Sequence, residues 1–225
     1  LVTGDLVIWV FPNAGNPQKV QRYPLEWASA LRQMISYDAE LLLPAHGLPI
    51  AGKDRIRRVL SDIADVLEAL VSETVALMNG GASLNEIIHE VKIDEDKLGL
   101  PWLQPLYDEP EFVVRNIWRM YSGWWDADPA SLKPSPQSDL AGELVSLVGG
   151  VTPLVSRAQE LAENGDFRLS CHLIEFAANA EPENKKVHGV RAEIYKMRRA
   201  SESSLMSKGV FASAMRESEA ISSDE

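Results

Sequence analysis

Along the first fifty residues the apolar positions come in short runs punctuated by proline and glycine; from Lys53 onward they recur with the period of a helix. Leu6 to Phe11 is a β-branched and aromatic run closed by Pro12-Asn13-Ala14-Gly15-Asn16-Pro17, the pattern of a buried strand followed by a loop. A helix is expected over Pro24 to Ser36. A second strand follows over Glu40 to Leu43, stopped by Pro44 and succeeded by the loop Ala45-His46-Gly47-Leu48-Pro49. Strand, helix and strand in that order make one βαβ-sized unit of a layered α/β domain. Two strands do not hold a sheet together alone, so the unit is expected to need partners from outside the chain.

Beyond Lys53 the residues Ile56, Val59, Leu60, Ile63, Val66, Leu67, Leu70 and Val71 fall on one helical stripe, ended by Gly80-Gly81. Ser83 and Glu86 have the spacing of a capping box ahead of a short helix ending near Val91. Pro101, Pro105 and Pro110 interrupt the next stretch, and Glu111 to Tyr121 is again helical. It runs into Gly123-Trp124-Trp125-Asp126, a corner carrying two adjacent indoles of about 200 Å² each. Such an area at a helix end is expected to pack on neighbouring elements, or else to wall a cavity. Residues 133–138, with two prolines and two serines, form the candidate linker. After it only helices are expected, with Thr152-Pro153, Gly165-Asp166 and Glu181-Pro182 as their starts and stops. Large and small residues mix there as in a single tetratricopeptide-type unit, too few for an array. The fold class read from this pattern is α+β, mostly helical, with a frayed tail over 219–225.

Composition narrows the function classes. The chain of 225 residues is 45% hydrophobic, enough for one large or two modest domains. Its 33 acidic residues outnumber 22 basic ones for a net charge of -11, and no basic cluster opposes that sign, which argues against nucleic acid and anionic membrane as partners. No apolar run reaches the roughly 20 residues of a membrane span, and the start lacks the order of a signal peptide. A chain that opens on Leu1 without methionine and passes straight into a strand-like run is expected to be part of a longer protein, so its compartment is not readable. Cys171, the only cysteine, is read as a small core residue. His89, His172 and His188 fit no ligand spacing, and the pairs Glu68/Glu73 and Asp94/Asp96 are read as solvated charge.

Two residues stand out as chemistry. Asp5, in a Thr-Gly-Asp turn, and His46, in a Pro-Ala-His-Gly loop, each sit at a strand edge of the same small unit, and each alone is an ordinary loop residue. Together a carboxylate and an imidazole suit zinc or a similar borderline metal.

That arrangement resembles the second half of a metallo-β-lactamase-type domain. The long helix, the segment Asn116 to Asp126 with Asp128-Pro129-Ala130, Gly142 to Arg157, and Leu161 to Phe167 resemble the dimerisation domain of alkyl sulfatases. Residues 1–52 then read as the C-terminal fragment of an αββα metal domain and 53–218 as an all-α dimerisation domain. The resemblance implies a homodimeric dinuclear hydrolase, with two zinc or other divalent ions and a metal-bound hydroxide that cleaves a sulfate or related ester of acidic head and apolar tail. Asp5 would bridge the two ions and His46 complete one shell. The His-x-His-x-Asp-His motif of the first half is absent, so the site would need the missing N-terminal half. Arg115 and Arg22 are the cations expected on the head group, with a helix-surface salt bridge as the other reading of Arg115. Tyr121, Trp124 and Trp125 are expected in the core or, alternatively, along a channel for the tail. Two departures matter: Phe112 stands where the family has the histidine expected to protonate the leaving oxygen, and Asp5 where it commonly has glutamate. They keep open a thioesterase or lactonase on the lactamase fold, and a helical dimerisation module with no activity of its own.

Overall fold

The computed structural model describes residues 1–223. Most of them are helical. They form two compact units that divide between Leu132 and Lys133.

The first unit runs β1 (Val2–Gly4), α1 (Pro24–Ser36), β2 (Leu41–Pro44), β3 (Ile50–Ala51), α2 (Lys53–Asn79), α3 (Leu84–Glu90), α4 (Glu95–Leu98), α5 (Pro110–Ser122) and α6 (Pro129–Leu132). β1 pairs in parallel with β2, across α1, and β2 pairs antiparallel with β3. The βαβ unit is therefore present, and its third strand comes from the chain itself.

Leu6 to Phe11 is not a strand. The chain turns at Gly4, where Leu6 N–H bonds back to the Thr3 carbonyl at 3.3 Å, and Trp9 sits at φ 57°, which extended backbone does not allow. Val7 and Phe11 are buried all the same, and the Phe11 N–H is satisfied by the Gln104 carbonyl at 2.9 Å. The apolar run records burial of side chains without a ladder. The strand lies earlier, over the three residues of β1, of which Val2 and Gly4 pair with Leu43 and Pro44.

Ile56, Leu60, Leu67 and Leu70 of α2 pack in one core with Phe11, Leu31, Leu42, Ile50, Ile87 and Ile117. The short strands and the long helix are thus faces of a single interior. α3 begins at the expected capping box, with Ser83 and Glu86 each accepting from the other's backbone N–H. The double-tryptophan corner is placed differently from expectation. Trp118, one turn before the end of α5, is the buried indole, whereas Trp124 is 74% exposed and Trp125 39%. Gly123 at φ 86° swings the chain outward, and the corner is tied by indole-to-backbone bonds from Trp118 to the Trp125 carbonyl and from Trp125 to that of Asp128, both 2.8 Å.

The second unit contains α7 (Gln137–Val148), α8 (Val151–Glu163), α9 (Phe167–Ala180), α10 (Lys185–Ser201) and α11 (Leu205–Ser223). Alanines 158, 162 and 177 interleave with Leu154, Ile174, Val187 and Ile194 in its core, and Ser170 on α9 donates to the Ala158 carbonyl on α8 at 2.7 Å. Asp166 caps α9 as expected. α8 starts two residues before Thr152-Pro153 would suggest, and α10 starts after Asn184, whose side chain accepts from two N–H groups, rather than at Glu181-Pro182. Cys171 is half-buried beneath this layer and its thiol is pushed up to about 11 by burial. Residues 219–223 of the expected tail are helical, and 224–225 lie outside the described residues. No single helix among the described residues is long and apolar enough to cross a membrane.

Candidate functional site

Parallel neighbours point the same way, so the turn after β1 and the loop after β2 leave one edge of the sheet together. Gly4 pairs with Pro44, and Ala45 N–H reaches the Gly4 carbonyl at 3.1 Å. This register brings His46 Nε2 to 3.4 Å from Asp5 Oδ1. Both side chains are largely open to solvent, 72% and 79% exposed, where an ion pair contributes little to stability.

Two indoles fix the rim. Trp27 on α1 donates to the Leu6 carbonyl at 3.0 Å, holding the turn that follows Asp5, and Trp9 donates to the Leu48 carbonyl at 2.7 Å, holding the loop that follows His46. Gly47 is required there: at φ 94° its missing Cβ would lie 1.9 Å from the Trp9 ring. Among the described residues no third histidine, cysteine or carboxylate joins Asp5 and His46 in a cluster able to hold a metal ion.

Asp5 also borders an open depression of about 540 Å³. Leu6, Val20, Tyr23 and Trp27 form its apolar side, and Gln21 and Arg22 bring polar groups to it. Arg22 therefore lies on the same surface feature as Asp5. Its Nε is buried without a hydrogen-bond partner. The segment carrying it is held by α5, where Asn116 Nδ2 donates to the carbonyls of Ala14 and Arg22 and Asn116 Oδ1 accepts from the Arg22 N–H. Just ahead of α5, Asp108 accepts from the N–H groups of Gly15 at 2.7 Å and Glu109 at 2.8 Å; burial pushes its carboxyl up to about 6.

Arg115, by contrast, is paired with Glu111 one turn earlier on α5 at 3.2 Å and does not line the depression. Tyr121, 53% exposed, Trp124 and Trp125 do not line it either. Phe112 lies in the first turn of α5, its backbone against Gly15. Sequence reasoning missed Asp108 and Asn116. For Asn116 a signal existed: a polar residue between Val113 and Ile117 on the inward stripe of an amphipathic helix.

Residues 83–220, from the α3 capping box into α11, match the profile of the family described as alkyl sulfatase dimerisation. The chain belongs to that family. Among its relatives are a linear primary-alkylsulfatase of Pseudomonas sp. (strain ATCC 19151), 27% identical over 176 residues that cover 78% of this chain and 33% of the relative, and an (R)-specific secondary-alkylsulfatase of Pseudomonas sp., 28% identical over 155 residues, 68% of this chain and 23% of the relative. The solved structure of the stereoselective inverting sec-alkylsulfatase Pisa1 from Pseudomonas sp. superposes with a TM-score of 0.89 at 24% identity, covering 97% of this chain and 35% of that one, so the two share a similar fold over that part. The chain spans about a third or less of the length of these relatives.

Proposed function

We propose that this chain is the C-terminal portion of an alkyl-sulfatase-like hydrolase, in which Asp5 and His46 are two ligands of a dinuclear zinc site and the helices that follow form a homodimer. The observation that carries the reading is the 3.4 Å approach of His46 Nε2 to Asp5 Oδ1 on one exposed rim. Two ligand atoms about 2.0 to 2.1 Å from a tetrahedral zinc ion stand roughly 3.3 Å apart, and carboxylate oxygen and imidazole nitrogen are both donors that zinc accepts. The residues present fit such a group in part. The remaining ligands would come from the N-terminal half of the metal domain. The superposition of 97% of this chain on an alkylsulfatase supports placing residues 1–52 in that domain.

When bound, zinc supplies Lewis acidity toward water and the ester oxygen. The chain's own residues bind and orient. Arg22 takes the anionic head through its guanidinium fork, and Val20, Tyr23 and Trp27 offer an apolar shelf for the tail beside Asp5. Phe112 holds no proton to give, so protonation of the leaving oxygen falls to another group, and a carboxylic or thioester substrate is the second reading this residue favours. That no third ligand joins the pair among the described residues favours a third: an assembly module inactive by itself.

The test uses the protein as encoded. Zinc content, alkyl sulfate hydrolysis and acyl thioester hydrolysis are measured for the wild type, Asp5→Ala and His46→Ala. Loss of stoichiometric zinc and of hydrolysis in both variants is expected. Full zinc content in both would overturn the ligand assignment, and a wild-type dimer with neither metal nor turnover would leave the assembly reading.

A further inference from the structure

Asn116 is 9% exposed on α5, and each polar atom of its side chain is spent on one distant loop. Nδ2 donates to the Ala14 carbonyl at 3.0 Å and the Arg22 carbonyl at 2.8 Å, and Oδ1 accepts from the Arg22 N–H at 3.3 Å. Its own main-chain carbonyl accepts from Gln21 Nε2 at 3.1 Å. With Asp108 on the Gly15 N–H, the loop is gripped at both ends, at 14–15 and at 21–22.

A buried amide with all its bonds made selects one conformation, because any other leaves it unsatisfied in a low-dielectric interior. The conformation selected is that of Arg22. Both main-chain polar groups of Arg22 are bonded to Asn116, which fixes the direction in which its side chain departs, and Arg22 lines the depression shared with Asp5. There its Nε is buried with no acceptor. Asp108, the nearby carboxylate whose charge it feels, has its oxygens turned to the Gly15 and Glu109 N–H groups. An arginine on the lining of a depression with an apolar shelf suits an anionic head on a hydrocarbon tail.

We propose that Asn116 is a positioning residue: through the main chain of Arg22 it aims that guanidinium into the depression beside Asp5, where it binds the sulfonate or sulfate head of an amphiphile whose chain lies along Val20, Tyr23 and Trp27. The proposal rests on the reading that Asp5 belongs to the hydrolytic site.

Decanesulfonate, which has no ester oxygen to cleave, is titrated calorimetrically into the protein as encoded. The wild type is compared with Arg22→Ala, Asn116→Asp, Asn116→Ser and the Arg22→Ala/Asn116→Asp double variant. Kd is expected to rise about tenfold in Arg22→Ala and in Asn116→Asp, with zinc content and far-UV dichroism unchanged. Asn116→Ser, which keeps one donor, is expected to recover part of the loss. The double variant should bind no more weakly than Arg22→Ala alone, because the two residues act in series. Wild-type affinity in Arg22→Ala, or losses that multiply in the double variant, would overturn the proposal. Decyl sulfate hydrolysis is read separately. Sulfonate binding that depends on both residues without hydrolysis removes the hydrolase reading and leaves this inference, and hydrolysis with binding indifferent to Arg22 does the reverse.

Discussion

Burial pushes the Asp108 carboxyl up to about 6 from the usual 3.8, although two backbone N–H groups and Arg22 pull the other way. Because the folded value lies above the unfolded one, its contribution to stability is complete below about pH 4 and is lost as pH rises through 6. The first unit of the wild type should therefore lose up to about 3 kcal/mol of unfolding free energy between pH 4 and pH 7 relative to Asp108→Asn, as read by urea denaturation across that range. A steric prediction belongs to the same loop. A Cβ on Gly15 would lie 2.1 Å from the backbone nitrogen of Val113, which no flexible side chain can relieve. Gly15→Ala should cost about 2 kcal/mol or more, and a variant melting with the wild type would contradict the packing. At this scale the nearness of Asp5 and His46 is legible, because each stands in a turn or loop at a strand edge of one small βαβ unit, although the strand beside Asp5 precedes it and does not follow it. Asp108, Gly15 and Asn116 are not legible. Their partners lie 93 to 102 residues away, and nothing local marks such a contact.

α1 over Pro24–Ser36, with proline at its start, and the periodic stripe of α2 came through unchanged. The capping box of α3 is the clearest case: Ser83→Ala should lower stability by about 1 kcal/mol, measured by denaturant unfolding, since it frees the Glu86 N–H and loosens the return bond from Glu86. Elements read from apolar content alone moved. Leu6 to Phe11 supplies core side chains from irregular backbone, because positive φ at Gly4 and Trp9 forbids extension while burial of Val7 and Phe11 continues. The start of α10 moved for a different reason. Glu181 ends α9, so the cap passed to the next residue able to accept two N–H groups, Asn184.

For the whole chain, the family assignment rests on residues 83–220, while the chemistry proposed for it rests on Asp5 and His46, in the part of the chain before that match. The two are separable in an experiment. The helices are held by apolar interiors such as Ile87 with Ile117 and Ile174 with Ile194, not by the exposed rim. Under the proposed reading of a zinc hydrolase and homodimer, chelation of the protein as encoded should therefore abolish hydrolysis and leave the sedimentation of the dimer unchanged; dissociation into monomers on chelation would contradict it. The loop that carries Arg22 has one more consequence, in time rather than space. Its fasteners are Asp108 and Asn116, so during synthesis it emerges and waits for nearly a hundred further residues before anything can hold it. Nascent chains arrested ahead of α5 should show this segment open to protease, and chains arrested after α5 has cleared the ribosome should show it protected.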